Sequence, residues 1–274
     1  MAVQNSVITN PSSFVALRTL NGINRGLDQT QNRVSTGLRV AGALDDASNF
    51  SIAQGIRAEV RALGAVTQGL NNAKGIGKVA LAGATGVSNL LTDIRAKLTE
   101  LANEGITTSQ RTILQNDYNK LLSQAANFIT NAKFNGKNLI ESGAANVNTL
   151  SNLSGGTLTL TAKDLRTLTN SLAGSTVATA TNAQSVIANE FTNLQSTVNV
   201  ALGSLGAEVR ALNLQTTFIE ELTDATTEGL GNIVDADLAR ESARLTSLQV
   251  QQQLSTQTLG IANQRPQTLL GLFG

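Results

Sequence analysis

Residues 56–101 read IRAEVRALGAVTQGLNNAKGIGKVALAGATGVSNLLTDIRAKLTEL, and two interleaved seven-residue series run through them. One is Ile56, Leu63, Leu70, Gly77, Ala84, Leu91 and Leu98; the other, offset by three, is Val66, Ala73, Ala80, Val87, Ile94 and Leu101. On a helix both fall on one stripe, as the a and d positions of a coiled coil do. The spacing predicts a single long helix of roughly 70 Å at 1.5 Å per residue, and hence an elongated bundle. Glycines at 55, 64, 69, 75, 77, 83 and 86 interrupt it. Each costs about 0.8–1 kcal/mol relative to alanine in a helix, so the helix must lean on neighbours that pack close to its backbone.

Working toward the C-terminus, a break at Gly105–Ser109 precedes Leu114, Tyr118, Leu121, Ala125, Phe128 and Ala132, which repeat at steps of four and three. A second helix, antiparallel to the first, is expected there. Asn135-Gly136 then marks a turn, a dipeptide whose glycine suits a positive φ. From 136 to about 182 the helical period fails, and Thr157-Leu158-Thr159-Leu160-Thr161 alternates at period two behind a Ser-Gly-Gly turn, predicting a small β-hairpin region. The helical period returns with Ile187, Phe191, Leu194, Val198, Ala201, Leu205, Leu212, Ile219 and Leu222.

The two ends carry thinner stripes. Leu20, Leu27 and Val34 recur every seven residues with Ile23 between them, and Leu238, Leu245, Gln252 and Leu259 do so with Leu248, Ser255 and Ala262. Gln252 and Ser255 stand at would-be core positions, and six glutamines lie between 245 and 264. Two such helices can pair, yet each alone buries too little to be stable. A segment of this kind gains its partner surface by assembly. Charge is also asymmetric. Residues 1–39 hold four arginines against one aspartate, a local +3, whereas 211–239 hold six acidic residues and no basic one, a local −6.

Composition removes most chemistry. Histidine and cysteine are both absent, so imidazole bases, thiolate nucleophiles and His/Cys metal sites have no residues to build on, and no catalytic, cofactor-binding or metal site is expected. Twenty basic residues against nineteen acidic give a net charge of +1, which offers no footprint for nucleic acid or an anionic membrane. The uncharged runs 167–189 and 245–264 hold too much Thr, Asn and Gln to insert in a bilayer. The acidic pairs Asp45-Asp46 and Asp235-x-Asp237 suit helix caps, since a carboxylate accepts orphan backbone N–H groups at a helix start.

Both ends also resemble bacterial flagellin. NGINRGLDQTQNRVSTGLRVAGALDDASNFSIA at Asn21–Ala53 is similar to that family's leucine-bearing helix, its G-L-R turn, here Gly37-Leu38-Arg39, and its D-D-A helix start at Asp45-Asp46. IVDADLARESARLTSLQVQQQLSTQTLGIANQRPQTLLGLF at Ile233–Phe273 is similar to its D-A-D-x-A-x-E cap at Asp235 and Asp237, its glutamine-rich helix and its A-N-Q-x-P-Q-x-L ending. Phe134-Asn135-Gly136 and Leu205-Gly206-Ala207 match two internal motifs. Lys97-Leu98-Thr99-Glu100-Leu101-Ala102 departs from the R-x-R-E-L-A of some members, and Arg39–Leu44 from the usual R-I-N-S-A run.

The resemblance implies a mainly α protein whose paired ends, 1–44 and 231–274, form an inner coiled-coil domain, with an outer helical bundle over 45–230 and a small β element at about 136–182. It implies a structural subunit that polymerises into the extracellular flagellar filament and serves motility. The implied partners are further flagellin subunits, the flagellar type III export apparatus and a secretion chaperone, and the filament cap and junction proteins. Such subunits leave the cell without a cleaved leader, which agrees with the unbasic, polar-interrupted first seventeen residues. A hook–filament junction protein is the alternative. The inner assembly seam is expected at Leu20, Ile23, Leu27, Val34, Leu245, Leu248, Leu259, Ala262, Leu269 and Leu270, positions that bundle packing within one chain would equally use.

Overall fold

The computed structural model describes residues 9–270, with side chains described as far as residue 264. In chain order its elements are α1 (Pro11–Thr36), α2 (Ala47–Leu101), α3 (Thr108–Asn131), β1 (Val147–Leu150), β2 (Thr157–Leu160), α4 (Arg166–Gly174), α5 (Ala180–Val186), a π turn (Ile187–Phe191), α6 (Thr192–Val234) and α7 (Leu238–Leu270). Two compact units result: Met1–Glu59 with Thr226–Gly274, and Val60–Ala225. The expected outer bundle began at 45 and ended at 230; these units divide inside α2 and α6 instead.

In the second unit the heptad stripe of α2 is buried at every position from Leu63 to Leu101, Gly77 included. Ile56, in the first unit, is half-buried. α6 runs antiparallel to α2: Arg95 lies over the Phe191 ring at 5.9 Å and Gly77 faces Val209. α3 returns along the other flank, bringing Phe128 against Gly86 and Ala132 against Gly83. A Cβ placed on Gly75, Gly77, Gly83 or Gly86 would come within 3.0 Å of a neighbouring side chain. At these four positions the missing side chain lets a neighbour reach the backbone, as the sequence suggested. Gly55 and Gly64 face open space, so close packing does not explain them.

β1 and β2 form an antiparallel hairpin with Val147 opposite Leu160 and Leu150 opposite Thr157. Its inward residues cover the helix pair: Leu160 meets Gly77, and Gln215 of α6 donates to the Ser151 carbonyl at 2.7 Å. The Asn135-Gly136 turn has φ of 48° and 73° at its two central residues, with Phe134 and Lys137 exchanging both backbone hydrogen bonds. That is the type I′ geometry its composition favours.

Four details differ from the sequence expectation. The break before α3 spans 102–107 rather than Gly105–Ser109, because Thr107 and Gln110 form a reciprocal capping box that places Thr108 and Ser109 in the first helical turn. The α3 core falls on Tyr118, Leu122, Ala125 and Ile129; Leu121 is half-buried and Phe128 lies at the margin. The 136–182 region holds α4 as well as the hairpin. There Asp164 caps the helix by accepting from Thr167 N at 2.8 Å, and buried Thr169 satisfies its hydroxyl on the Leu165 carbonyl. Lastly, Leu222 is exposed, while Val209 and Thr216 take core places on α6.

The π turn re-phases the last long helix. Ala183 and Val186 are buried before it, Phe191 at its end and Leu194 after it, so one step of the core stripe spans five residues. The Thr192 hydroxyl donates to the Ile187 carbonyl five residues back, at 2.8 Å, filling the wider turn.

Candidate functional site

The first unit is made of the chain's two ends, and its chemistry is that of a helix pair. Asn10 caps α1 by accepting from Ser13 N, and Pro11 opens the helix where its missing N–H costs nothing. Gly37 closes it at φ 72°, its N–H donating to the Arg33 carbonyl. α7 starts on Asp237, whose carboxylate accepts from Arg240 N at 3.1 Å. α1 and α7 then pack antiparallel along their length: Asn10 donates to the Ala262 carbonyl, Gly26 faces Leu248, and Arg33 bridges Glu241 at 3.1 Å.

All the seam candidates with described side chains lie along this pairing within one chain. Leu20, Ile23, Leu27, Val34, Leu245, Leu248 and Leu259 are half-buried, and Ala262 is buried. Leu269 and Leu270 belong to α7, but their side chains lie outside the described residues. Two helices alone leave one flank of a leucine-sized side chain open, and the half-burial of the larger seam residues follows from that geometry. One polar residue of the stripe has a partner across it: Gln252 Nε2 donates to Asn24 Oδ1 at 2.7 Å. A half-buried amide pair favours one register of a coiled coil, because a slip breaks the bond between them.

Sequence reasoning missed two seam positions. Thr30 and Glu241 are both buried polar residues in the same heptad phase, seven residues from Ile23 and Leu248. Extending the series by one step would have found them. It also missed apolar residues turned away from the seam: Phe14, Val15 and Leu17 on α1 and Val250, Leu254 and Ile261 on α7 stand exposed. The signal was present as apolar residues in excess of the heptad.

The turn and cap residues meet at the far end of the pair. Leu38 bridges Asp235, Arg39 N and Val40 N donate to the Val234 carbonyl, and Ala236 N donates to the Gly37 carbonyl at 2.9 Å. The Arg39 guanidinium adds a bond to the Ile233 carbonyl. Val40, Ala53 and Val234 form a small buried core beneath this zipper, with Phe50, Leu230 and Ile233 packed on it. Asp45 accepts from Ala41 N and Gly42 N, holding the loop, and Asp46 accepts from Asn49 N to start α2. The Asn49 backbone and side-chain donors hold the Asp46 carboxyl below the usual carboxylate range. The arrangement positions backbone and packs apolar surface. Among the described residues no helix is long and apolar enough to cross a membrane.

Comparison with known proteins matches this architecture at both ends. Residues 7–145 match the model of the bacterial flagellin N-terminal helical region and 189–273 that of the C-terminal helical region. The chain is 36% identical to flagellin FljK of Caulobacter vibrioides, covering 98% of each chain. It is 32% identical to a flagellin of Brucella melitensis, covering 98% of this chain and 99% of that one. The crystal structure of Bacillus cereus flagellin is similar in fold, with a TM-score of 0.50 at 21% identity over 55% of this chain and 88% of that one.

Proposed function

The chain belongs to the bacterial flagellin family and is a structural subunit of a filament built from copies of itself, and from that premise we propose how its parts divide the task. The two ends, 1–44 and 231–274, build the inner domain together with the adjoining turns of α2 and α6 that share their compact unit, and the rest of 45–230 is the outer bundle. The α1–α7 seam closes within each subunit, while the half-exposed flanks of Leu20, Ile23, Leu27, Val34, Leu245, Leu248 and Leu259 remain available to neighbours.

The observation that carries this reading is the exposed apolar surface of the helix pair. Phe14 is 55% and Ile261 66% exposed, and Val15, Leu17, Val250 and Leu254 stand exposed with them on the same two helices. At about 25 cal/mol per Å² of apolar area, covering these residues against several neighbours supplies the drive for assembly without any bond chemistry. Neighbours related by a rotation that does not close then extend as a helical polymer. The subunit reaches the extracellular filament through the flagellar export apparatus with a secretion chaperone, and adds beneath the cap on a base of junction proteins. Family membership supports those partners. The end-to-end relatives bear flagellin names, and nothing favours the junction-protein alternative.

Leu254→Asp combined with Ile261→Asp tests the reading, because both residues lie off the intrachain seam. The purified double variant keeps the helicity of the parent by circular dichroism and fails to extend filament seeds. Deleting residues 235–274 likewise leaves a soluble helical chain that does not polymerise. Filaments grown from either variant at the parental rate overturn the proposal.

A further inference from the structure

Two exposed faces of the second unit have opposite character. On the first, the type I′ turn lays Phe134 across Gly75, where a Cβ would meet the ring at 2.7 Å. The ring keeps 40% of its surface exposed. Lys133 and Lys137 stand on either side of it in the turn. Lys74 precedes Gly75 on α2 and Lys78 lies one turn further on the same flank. Four of the chain's seven lysines thus belong to the turn that carries this ring and to the stretch of α2 on which it lies. Among the described residues none of the four is in an ion pair.

On the second face, Leu214, Phe218 and Leu222 form a stripe one turn apart along α6, and Leu214 is 69% and Phe218 55% exposed. Glu221 borders the stripe, and Glu220 and Asp224 lie beyond it on the same side, all exposed. No Lys or Arg occurs between 211 and 239, and among the described residues these three acids are in no ion pair.

We propose that these faces meet between copies: the Phe134 lysine patch of one subunit seats on the Leu214–Leu222 face of the next. The inference rests on the filament-subunit reading and names a contact within it. Each face repels a second copy of itself, because lysine would meet lysine and carboxylate would meet carboxylate. The two attract only in a head-to-tail sense, and a head-to-tail contact propagates instead of closing into a dimer. The aromatic and aliphatic side chains supply the buried centre, and the charges fix which face is chosen.

The chain's lack of cysteine makes the test direct. A Lys133→Cys/Glu221→Cys double variant is grown on filament seeds and oxidised. The expected result is a covalent ladder of dimers and higher species from filaments, absent from oxidised monomer and from either single variant. Separately, reversing Lys74, Lys78, Lys133 and Lys137 to Glu raises the critical concentration at least about tenfold, as like charges then face each other. Adding Glu220→Lys, Glu221→Lys and Asp224→Lys returns it to within about threefold of the parent. Filaments that form normally without a ladder, or a charge reversal without effect, overturn this contact while leaving the filament reading intact. A parent chain that does not extend seeds overturns the filament reading itself.

Discussion

The two units are written in the same seven-residue grammar and end in different states of burial. Along α2 the stripe is sealed, because α6, α3 and the β1–β2 hairpin cover it from three directions. Along α1 and α7 the stripe is half-open, because each helix has only the other. The heptad therefore specifies which residues face a neighbour; the number of neighbours specifies how far they leave water. A closed core makes the second unit self-sufficient, and an open one leaves the first dependent on what surrounds it in the polymer.

Truncating one leucine in each stripe gives the largest contrast. Leu98→Ala, at a fully buried site, destabilises the second unit by about 2–5 kcal/mol, whereas Leu20→Ala in the open seam costs the monomer roughly 1 kcal/mol. Urea unfolding followed by circular dichroism measures both; equal losses would mean the seam is as closed as the bundle.

Alkali sharpens the comparison, since it acts on the second unit alone. Tyr118, the chain's one tyrosine, is fully buried and donates to the Leu172 carbonyl at 3.0 Å. Burial, with Glu190 nearby, pushes its phenol well above the ordinary value near 10. A raised pKa means the folded form holds its proton longer than the unfolded form. The resulting stabilisation is complete below about pH 10 and falls by about 1.4 kcal/mol per pH unit above it, until the folded phenol itself titrates. With no tryptophan present, tyrosinate absorbance near 295 nm reads this directly. It should stay absent in the native chain at pH 11 and appear together with unfolding.

The smallest expected effect concerns the seam's amide pair. Replacing Asn24 and Gln252 together by Leu should raise the thermal stability of the end pair slightly, by under about 1 kcal/mol, and loosen its alignment. Disulfide trapping between cysteines placed one turn out of register reports the slip; a variant that stays in one alignment would mean that the flanking Arg33–Glu241 and Asn10–Ala262 contacts suffice.

The long helices were legible because their signal is repeated many times: a dozen consecutive stripe positions from Leu63 to Leu101 agree. The turn at Asn135-Gly136 was legible because few dipeptides accept positive φ twice. Where the signal was short, it misled. α4 hides behind threonines, and Thr169 enters the core only because its hydroxyl bonds its own backbone. Phe128 took a stripe position in the sequence, yet it sits at the margin, where glycine at 86 makes room for its ring. The π turn has no period of its own, and it becomes visible only as the five-residue step between Val186 and Phe191. In the site, periodicity found the positions that pair within the chain and passed over the exposed apolar residues, because it marks the side of a helix with a partner and is silent about the rest.

The partners Asn24 and Gln252 stand 228 residues apart, and Asn10 and Ala262 stand 252 apart. A ribosome that has made everything up to residue 225 has supplied all of Val60–Ala225 and only half of the zipper. Every contact of the outer bundle is thus available before the second half of the clasp exists. A chain cut short after residue 225 keeps the bundle's residues and has nothing for α1 to clasp.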